Sequence, residues 1–141
     1  MAIAQMNWGR MKYAPDNPRM AEFMDSLPSV YGKAEAHPGF IWRMPDDEAA
    51  RQLAALGYDD RFSATVSVWR SVEDLREYTF GPDHGSYYDR RAEWFEEIDE
   101  PQLVIWDVED TARPSFKEAF DRLKLLKADG NSSGSYSWSF I

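Results

Sequence analysis

Residues 62–95 constrain the fold most, because a strand pattern there runs into two consecutive helix patterns. In residues 62–69 apolar side chains alternate with hydroxyl-bearing ones up to Trp69, which is the period-two pattern of a strand whose faces differ. Ser71 followed by Asp74 resembles a capping box with Asp in place of the usual Glu, so a helix is predicted directly after the strand. We therefore expect a pocket in this part of the chain.

A second helix is predicted after the break at Gly81 and Pro82, with Asp83 as its cap. Four of its residues recur at four- and three-residue steps and are expected to share one helix face. These residues are His84, Tyr88, Arg91 and Phe95.

Alternating apolar residues predict further strands at residues 2–11, 40–44 and 102–108. In the second of these, Phe40 and Trp42 are expected to share a face. The same alternation predicts a final strand near the C-terminus, with Tyr136, Trp138 and Phe140 on one face.

Apolar stripes at helical spacing predict a first helix after Pro18, kinked at Pro28, and a last helix opened by Pro114. Residues 45–61 lie between two predicted strands and show only a loose helical pattern. We expect them to form a mobile connection with a short helix.

This order of elements is typical of an α+β domain, and its simplest topology is ferredoxin-like, with an antiparallel sheet and helices on one face. Residues 1–141 fit a single domain. The other sheet face needs cover, most simply the same face of a second copy, so a homodimer is predicted.

Several strand residues are polar and suit a pocket better than a dry core. They are Gln5, Asn7, Ser63, Thr65, Ser67 and Trp69.

The net charge of −9 and the pI of 4.7 argue against binding to phosphate backbones or anionic membranes, which depends on clustered Lys and Arg. The absence of Cys excludes disulfides and thiolate metal sites. No basic and apolar leader opens the chain, and no apolar run approaches the roughly 20 residues that span a bilayer. We expect a soluble, cytoplasmic protein with no nucleic-acid or membrane partner.

Five segments carry a family resemblance: PGFIWRM (38–44), SVWRSVEDLREY (67–78), HGSYYDRRAEWF (84–95), LVIWDV (103–108) and RPSFKEAFDRLKLL (113–126). Together they resemble a bacterial family that is catalogued as a domain of unknown function. That family is similar to the dimeric α/β-barrel superfamily, which includes antibiotic biosynthesis monooxygenases. The resemblance implies a ferredoxin-like fold that forms a dimeric α/β barrel from two copies, and it brings no settled reaction. Residues 45–61 match nothing in it.

A second resemblance concerns haem-degrading monooxygenases of the same superfamily, which use an Asn on the first strand, a Trp on a later strand and a helical His. Asn7, Trp69 and His84 occur in that order. The resemblance implies haem as an alternative cofactor, with His84 on the iron and the other two residues above the ring.

His84 is the first catalytic candidate, because an ordinary imidazole pKa of about 6.5 makes proton transfer efficient near neutral pH. Its alternative role is structural, as a residue at a helix N-terminus that bonds the preceding loop. Tyr88 and Arg91 could hold an oxyanion or a carboxylate, Arg91 through its bidentate guanidinium fork. Arg91 could instead pair with a nearby Glu on a solvated face.

Asn7, Thr65 and Trp69 are candidates for orienting a substrate by hydrogen bonds and stacking, while Trp69 could equally be a core or interface residue. Trp42 is a further substrate-binding candidate, although its apolar neighbours favour the core. Residues 46–48 are acidic, but without a nearby His they are more typical of a solvated loop than of a metal site. No metal site is predicted.

These features and the resemblance favour a small-molecule enzyme that acts without a cofactor, by oxygenation or rearrangement, on an apolar aromatic or polyketide-like compound. His84 would move a proton, Arg91 and Tyr88 would stabilise developing oxyanion charge, and the strand residues would orient the substrate. Two alternatives stay open. One is haem binding or degradation, and the other is a non-catalytic dimer that binds a metabolite.

Overall fold

The computed structural model describes residues 1–138, except for the side chain of Asp83. Its sheet contains β1 (Ala2–Arg10), β2 (Phe40–Arg43), β3 (Phe62–Trp69) and β4 (Leu103–Val108). The strands lie in the order β2–β3–β1–β4, and every neighbouring pair is antiparallel. The predicted α+β, ferredoxin-like fold is confirmed.

The helices are α1 (Ala21–Ala36), α2 (Asp46–Ala55), α3 (Val72–Thr79), α4 (Pro82–Asp89) and α5 (Phe116–Asp129). As predicted, α3 begins after Ser71, whose hydroxyl accepts a hydrogen bond from the Asp74 amide. Helix α1 continues through Pro28 as one helix. Helix α4 has Pro82 in its first turn and Gly81 as its cap, so Asp83 lies inside the helix and not at the predicted cap position.

The apolar face of the sheet is covered by α2 and α5. Leu53 of α2 and an apolar stripe on α5 join a buried cluster with side chains of β1, β3 and β4. The sheet residues of this cluster include Ala4, Met6, Val66, Val68, Val104 and Trp106. This differs from the predicted arrangement with helices on one face only, because residues 46–55 and α5 supply the missing cover. The sheet therefore needs no second copy to bury this face.

The second face of the sheet carries α1 and α3. Ile3, Trp69 and Ile105 form a buried cluster with Ala34 of α1 and Leu75 of α3. The β1–β3 register places Gln5 opposite Ser67 and Asn7 opposite Thr65 on this face. The polar residues singled out in the sequence therefore lie on the sheet face that carries α1 and α3.

The terminal segment returns to the edge of the sheet at β4. The backbones of Tyr136 and Ile105 exchange two hydrogen bonds of 2.8 Å. Among residues 1–138 this pairing is an isolated bridge and not the predicted strand. Trp138 packs against the cluster on the second face, and Phe140 lies outside the described residues.

Among the helices formed by residues 1–138, none combines the length and the apolar character needed to cross a membrane.

Candidate functional site

A row of hydrogen-bonded polar side chains follows the second face of the sheet across β1 and β3. Asn7 Nδ2 donates to Thr65 Oγ1 at 2.7 Å and to Gln5 Oε1 at 2.9 Å. Gln5 Nε2 and Trp69 Nε1 both donate to Ser67 Oγ, at 2.7 and 2.9 Å. We call these five residues the polar row.

The polar row runs from solvent into the interior. Asn7 is exposed and Thr65 is half-buried, whereas the exposed fractions of Gln5, Ser67 and Trp69 are 3%, 7% and 2%. The Asn7–Thr65 end can therefore meet a ligand. At the buried end of the row, the Ser67 hydroxyl accepts hydrogen bonds from the side chains of Gln5 and Trp69, so these buried donors are satisfied.

Trp69 is enclosed by aromatic rings. Tyr78 of α3 stacks on it with ring centroids 5.3 Å apart, while His37 and Phe40 meet it edge-on, each at 5.5 Å. This enclosure supports the core role that the sequence left open for Trp69. Trp69 can position its neighbours, but a stacked substrate would have to displace one of these rings.

His84 adjoins this aromatic group through Tyr78, with ring centroids 5.1 Å apart. Its Nδ1 lies 2.9 Å from the Thr79 carbonyl oxygen. Since a carbonyl only accepts hydrogen bonds, Nδ1 carries the proton, and neutral His84 keeps its lone pair on Nε2. Among the described residues, none forms a hydrogen bond with Nε2.

Burial lowers the pKa of His84 below 6.5, and the hydrogen bond to Thr79 opposes this effect only in part. His84 is therefore neutral at pH 7. A half-buried neutral imidazole with its lone pair on Nε2 has the form that a general base requires. The sequence offered a bond from His84 to the preceding segment as a purely structural role. Its bond to Thr79, at the end of α3, also fixes this tautomer.

Tyr88 and Arg91 lie beside each other at the surface and outside the His84–Tyr78 contact. The Arg91 guanidinium lies 4.2 Å from the Tyr88 ring centroid and donates to the Tyr88 carbonyl at 3.0 Å. Among the described side chains no carboxylate pairs with Arg91, so its predicted alternative role is absent from the described contacts. The predicted common face does not continue from His84 to Phe95, because α4 ends at Asp89.

Trp42 lies on the other side of the sheet from the polar row. The register of β2 against β3 shifts between Phe40 and Trp42. As a result Phe40 contacts Trp69, whereas Trp42 packs against the apolar cluster and beneath Arg113. The structure thus brings together Asn7, Thr65 and Trp69, but Trp42 does not join them.

Tyr78 is the residue of this region that sequence reasoning missed. It links Trp69 to His84, and its hydroxyl donates to the Val30 carbonyl of α1 at 2.9 Å. The available signal was the spacing of Leu75 and Tyr78, which places both on the inward face of α3.

Two of the cavities among the described residues adjoin this part of the molecule. One, of about 350 Å³, lies beside β4 and Trp138, and the other, of about 240 Å³, lies between α1 and α4. Neither is lined by His84, Asn7 or Trp69. Among the described side chains, no three from His, Asp or Glu are grouped as metal ligands.

Solved structures share this fold at low sequence identity. A conserved protein from Methanosarcina mazei Go1 is 13% identical with a TM-score of 0.55, over 77% of this chain and 94% of that one. SnoaB, a cofactor-independent oxygenase from Streptomyces nogalater, is 14% identical with a TM-score of 0.51, over 77% and 93%. A proposed antibiotic biosynthesis monooxygenase from Nitrosomonas europaea is 13% identical with a TM-score of 0.52, over 76% and 89%. At these identities the likeness establishes the fold alone.

No curated protein matches the chain. The family profile of DUF3291, a domain of unknown function, matches residues 2–140. This match spans almost the whole sequence and confirms the resemblance noted in the five segments. The chain belongs to the DUF3291 family and has the fold of the antibiotic biosynthesis monooxygenase-like proteins.

Proposed function

We propose that the protein is a small-molecule enzyme that carries out cofactor-independent oxygenation or rearrangement of an apolar aromatic or polyketide-like compound. The observation that carries the proposal is the state of His84, whose Nδ1–H is bound to Thr79 so that Nε2 keeps the lone pair. SnoaB, which shares the fold, is a cofactor-independent oxygenase.

In this proposal His84 Nε2 accepts a proton from an acidic C–H or O–H group of the substrate. The electron pair left on the substrate either forms a C–O bond with dioxygen or moves to a new position within the substrate. The imidazolium then returns its proton to the resulting anion. His84 is therefore regenerated in each cycle.

The other residues have distinct roles. Asn7 and Thr65, at the open end of the polar row, orient the substrate through hydrogen bonds. Arg91 and Tyr88 stabilise oxyanion charge, since Arg91 has no carboxylate partner among the described residues and can offer its guanidinium to an anion. Trp69 is a positioning residue, because it acts through Tyr78.

The test is turnover of a panel of hydroxylated polycyclic aromatic compounds, followed by oxygen uptake and by product mass. His84→Ala should lower kcat/KM by about 100-fold or more. His37→Asn, which keeps an acceptor for the Gly39 amide, should change it little. Unchanged turnover in a folded His84→Ala variant would remove His84 from the mechanism. Saturable binding with no product from any bound compound would identify a metabolite-binding protein instead.

Haem binding or degradation is the second candidate, because a bond from Nδ1–H to a backbone carbonyl also orients histidines that ligate metals. His84 Nε2 would hold the iron. The cavities of about 350 and 240 Å³ are not lined by His84, which bears equally on both candidates. The first candidate ranks ahead because SnoaB, which shares the fold, is a cofactor-independent oxygenase. A Soret band after addition of haemin, lost in His84→Ala, would reverse this order.

The homodimer also belongs to the proposal, but not through the apolar sheet face. Helices α2 and α5 bury that face, so two copies would have to meet elsewhere. Light scattering should give the mass of two chains. The mass of one chain would refute the dimer.

A further inference from the structure

We propose that the 350 Å³ cavity beside β4 binds the ring system of the substrate, and that this substrate is an uncharged, flat, largely apolar molecule. The cavity lies between the start of β4, the end of α5 and the terminal segment. The inference rests on the proposed function, because it names the substrate class of the site that begins at the polar row.

The walls of the cavity are mainly apolar. Leu103 and Leu126 line it together with Pro101 and the indole of Trp138. A volume of about 350 Å³ falls within the range of small-molecule sites, which is roughly 300–1,000 Å³. A flat ring can stack against the indole and contact the leucines and the proline, which suits an aromatic compound.

Trp138 is held in place by contacts outside the cavity. Its ring centroid lies 5.6 Å from that of Phe80, and the Arg76 guanidinium lies 5.8 Å from it. Trp138 also packs against the buried cluster on the second sheet face. The indole therefore forms a supported wall.

Among the described residues that line the cavity, the polar groups are already bonded and none is charged. Gln102 Nε2 donates to the Trp8 carbonyl at 3.1 Å. Asn131 Oδ1 accepts from the backbone amide of Ser137 at 3.0 Å and from its hydroxyl at 3.2 Å. No Lys, Arg, Asp or Glu is among the described lining residues. An ionised ligand would lose hydration here without gaining an ion pair, so the cavity selects a neutral one.

The cavity adjoins the polar row at Leu103, which lines the cavity and pairs with a residue of the row. In the β1–β4 register Leu103 lies directly opposite Asn7, which in turn donates to Thr65. Side chains directly opposite in an antiparallel pair have Cβ atoms about 4.5–5.5 Å apart on one face. A ring that rests on Leu103 therefore places its edge beside Asn7. Leu103 and Trp138 are the residues that would select the ring, while Asn7 would bind a polar substituent.

The test is binding of the neutral naphthalene dye Prodan to the full chain, followed by its blue shift, with anionic anilinonaphthalene sulfonate as the charged comparison. We expect one saturable site per chain and weaker binding of the sulfonate. Trp138→Ala removes a wall and Ser137→Phe fills the cavity, so each should weaken Prodan binding by about tenfold or more.

The control for Trp138→Ala is Trp42→Ala, which removes a half-buried tryptophan on the opposite sheet face. It should leave Prodan affinity within about twofold. His84→Ala should do the same, so binding is measured separately from turnover. Prodan binding that is absent in the wild type, unchanged in both cavity variants, or equally weakened by Trp42→Ala would overturn the inference. A loss of turnover in His84→Ala without a loss of Prodan binding would agree with the inference.

Discussion

Ser67→Ala should be strongly destabilising, because the Ser67 hydroxyl is the only acceptor for two buried donors within the described contacts. It accepts from Gln5 Nε2 and from Trp69 Nε1. Gln5, Ser67 and Trp69 are all buried, so water does not replace the hydroxyl. Alanine fills most of the volume but accepts no hydrogen bond.

The size of the effect follows from the number of donors left unpaired. A buried donor without a partner costs about 1–3 kcal/mol, so two donors give about 2–6 kcal/mol. We expect about 3 kcal/mol, since small shifts of Gln5 and Trp69 can recover part of the loss. Domains of this kind unfold with a free energy of about 5–15 kcal/mol, so this change is a large fraction of the total.

Urea unfolding followed by circular dichroism measures this change, and Ser63→Ala is the matched control. Ser63 lies on the same face of the same strand but is half-buried and has no side-chain hydrogen bond in the described contacts. Its replacement should cost less than about 0.5 kcal/mol. If the two variants differ by less than about 1 kcal/mol, the inner end of the polar row does not stabilise the fold as argued.

Further predictions concern close packing and pH. Gly39→Ala should destabilise the fold in urea unfolding, because its Cβ would lie 2.2 Å from Asp74 Cγ. Gly32→Ala should stabilise the fold by up to about 1 kcal/mol, because Gly32 lies inside α1 and its added Cβ would meet nothing within 4 Å. A Gly39→Ala variant that is more stable than Gly32→Ala would contradict the packing. Burial and the neighbouring Asp107 raise the pKa of Tyr136 from 10.0 to about 12. The unfolded chain then loses this proton first, so the free energy of unfolding should fall as the pH rises from 10 to about 12. Tyr136→Phe should reduce that slope, and an unchanged slope would count against the shifted pKa.

Local sequence signals predicted the secondary-structure elements well where a single residue determines where a helix begins or ends. Ser71 caps α3 and Gly130 ends α5, as their residue types indicate. Glycine suits the latter position because its φ is 74°. Alternation likewise predicted the four strands of the sheet, whereas the fifth predicted strand, at the terminal segment, forms only an isolated bridge among the described residues.

Long-range packing could not be predicted from these signals. The stripe on α5 shows which side of the helix is buried, but both faces of β1 carry apolar residues, so the pattern does not say which face α5 covers. Trp42 shows the same limit. In an ideal strand it shares a face with Phe40, whereas the register shift between them places the two on opposite faces.

The candidate site was predictable only in part. The polar row follows from period-two spacing and strand pairing, which place Asn7, Thr65 and Ser67 on one face. The tautomer of His84 depends on the Thr79 carbonyl, which no sequence pattern specifies. The cavity at Trp138 depends on how the terminal segment meets β4, a contact between distant parts of the chain.

The protonation of His84 tests the central claim most directly, and ¹H–¹⁵N NMR across a pH titration measures it. His84 should carry its proton on Nδ1 at pH 7 and should titrate below pH 6.5, because burial lowers its pKa. His37 is an internal control with the opposite tautomer, because its Nδ1 accepts from the Gly39 amide at 3.0 Å. A proton on Nε2 of His84 at pH 7, or a pKa above 6.5, would contradict its role as a prepared base.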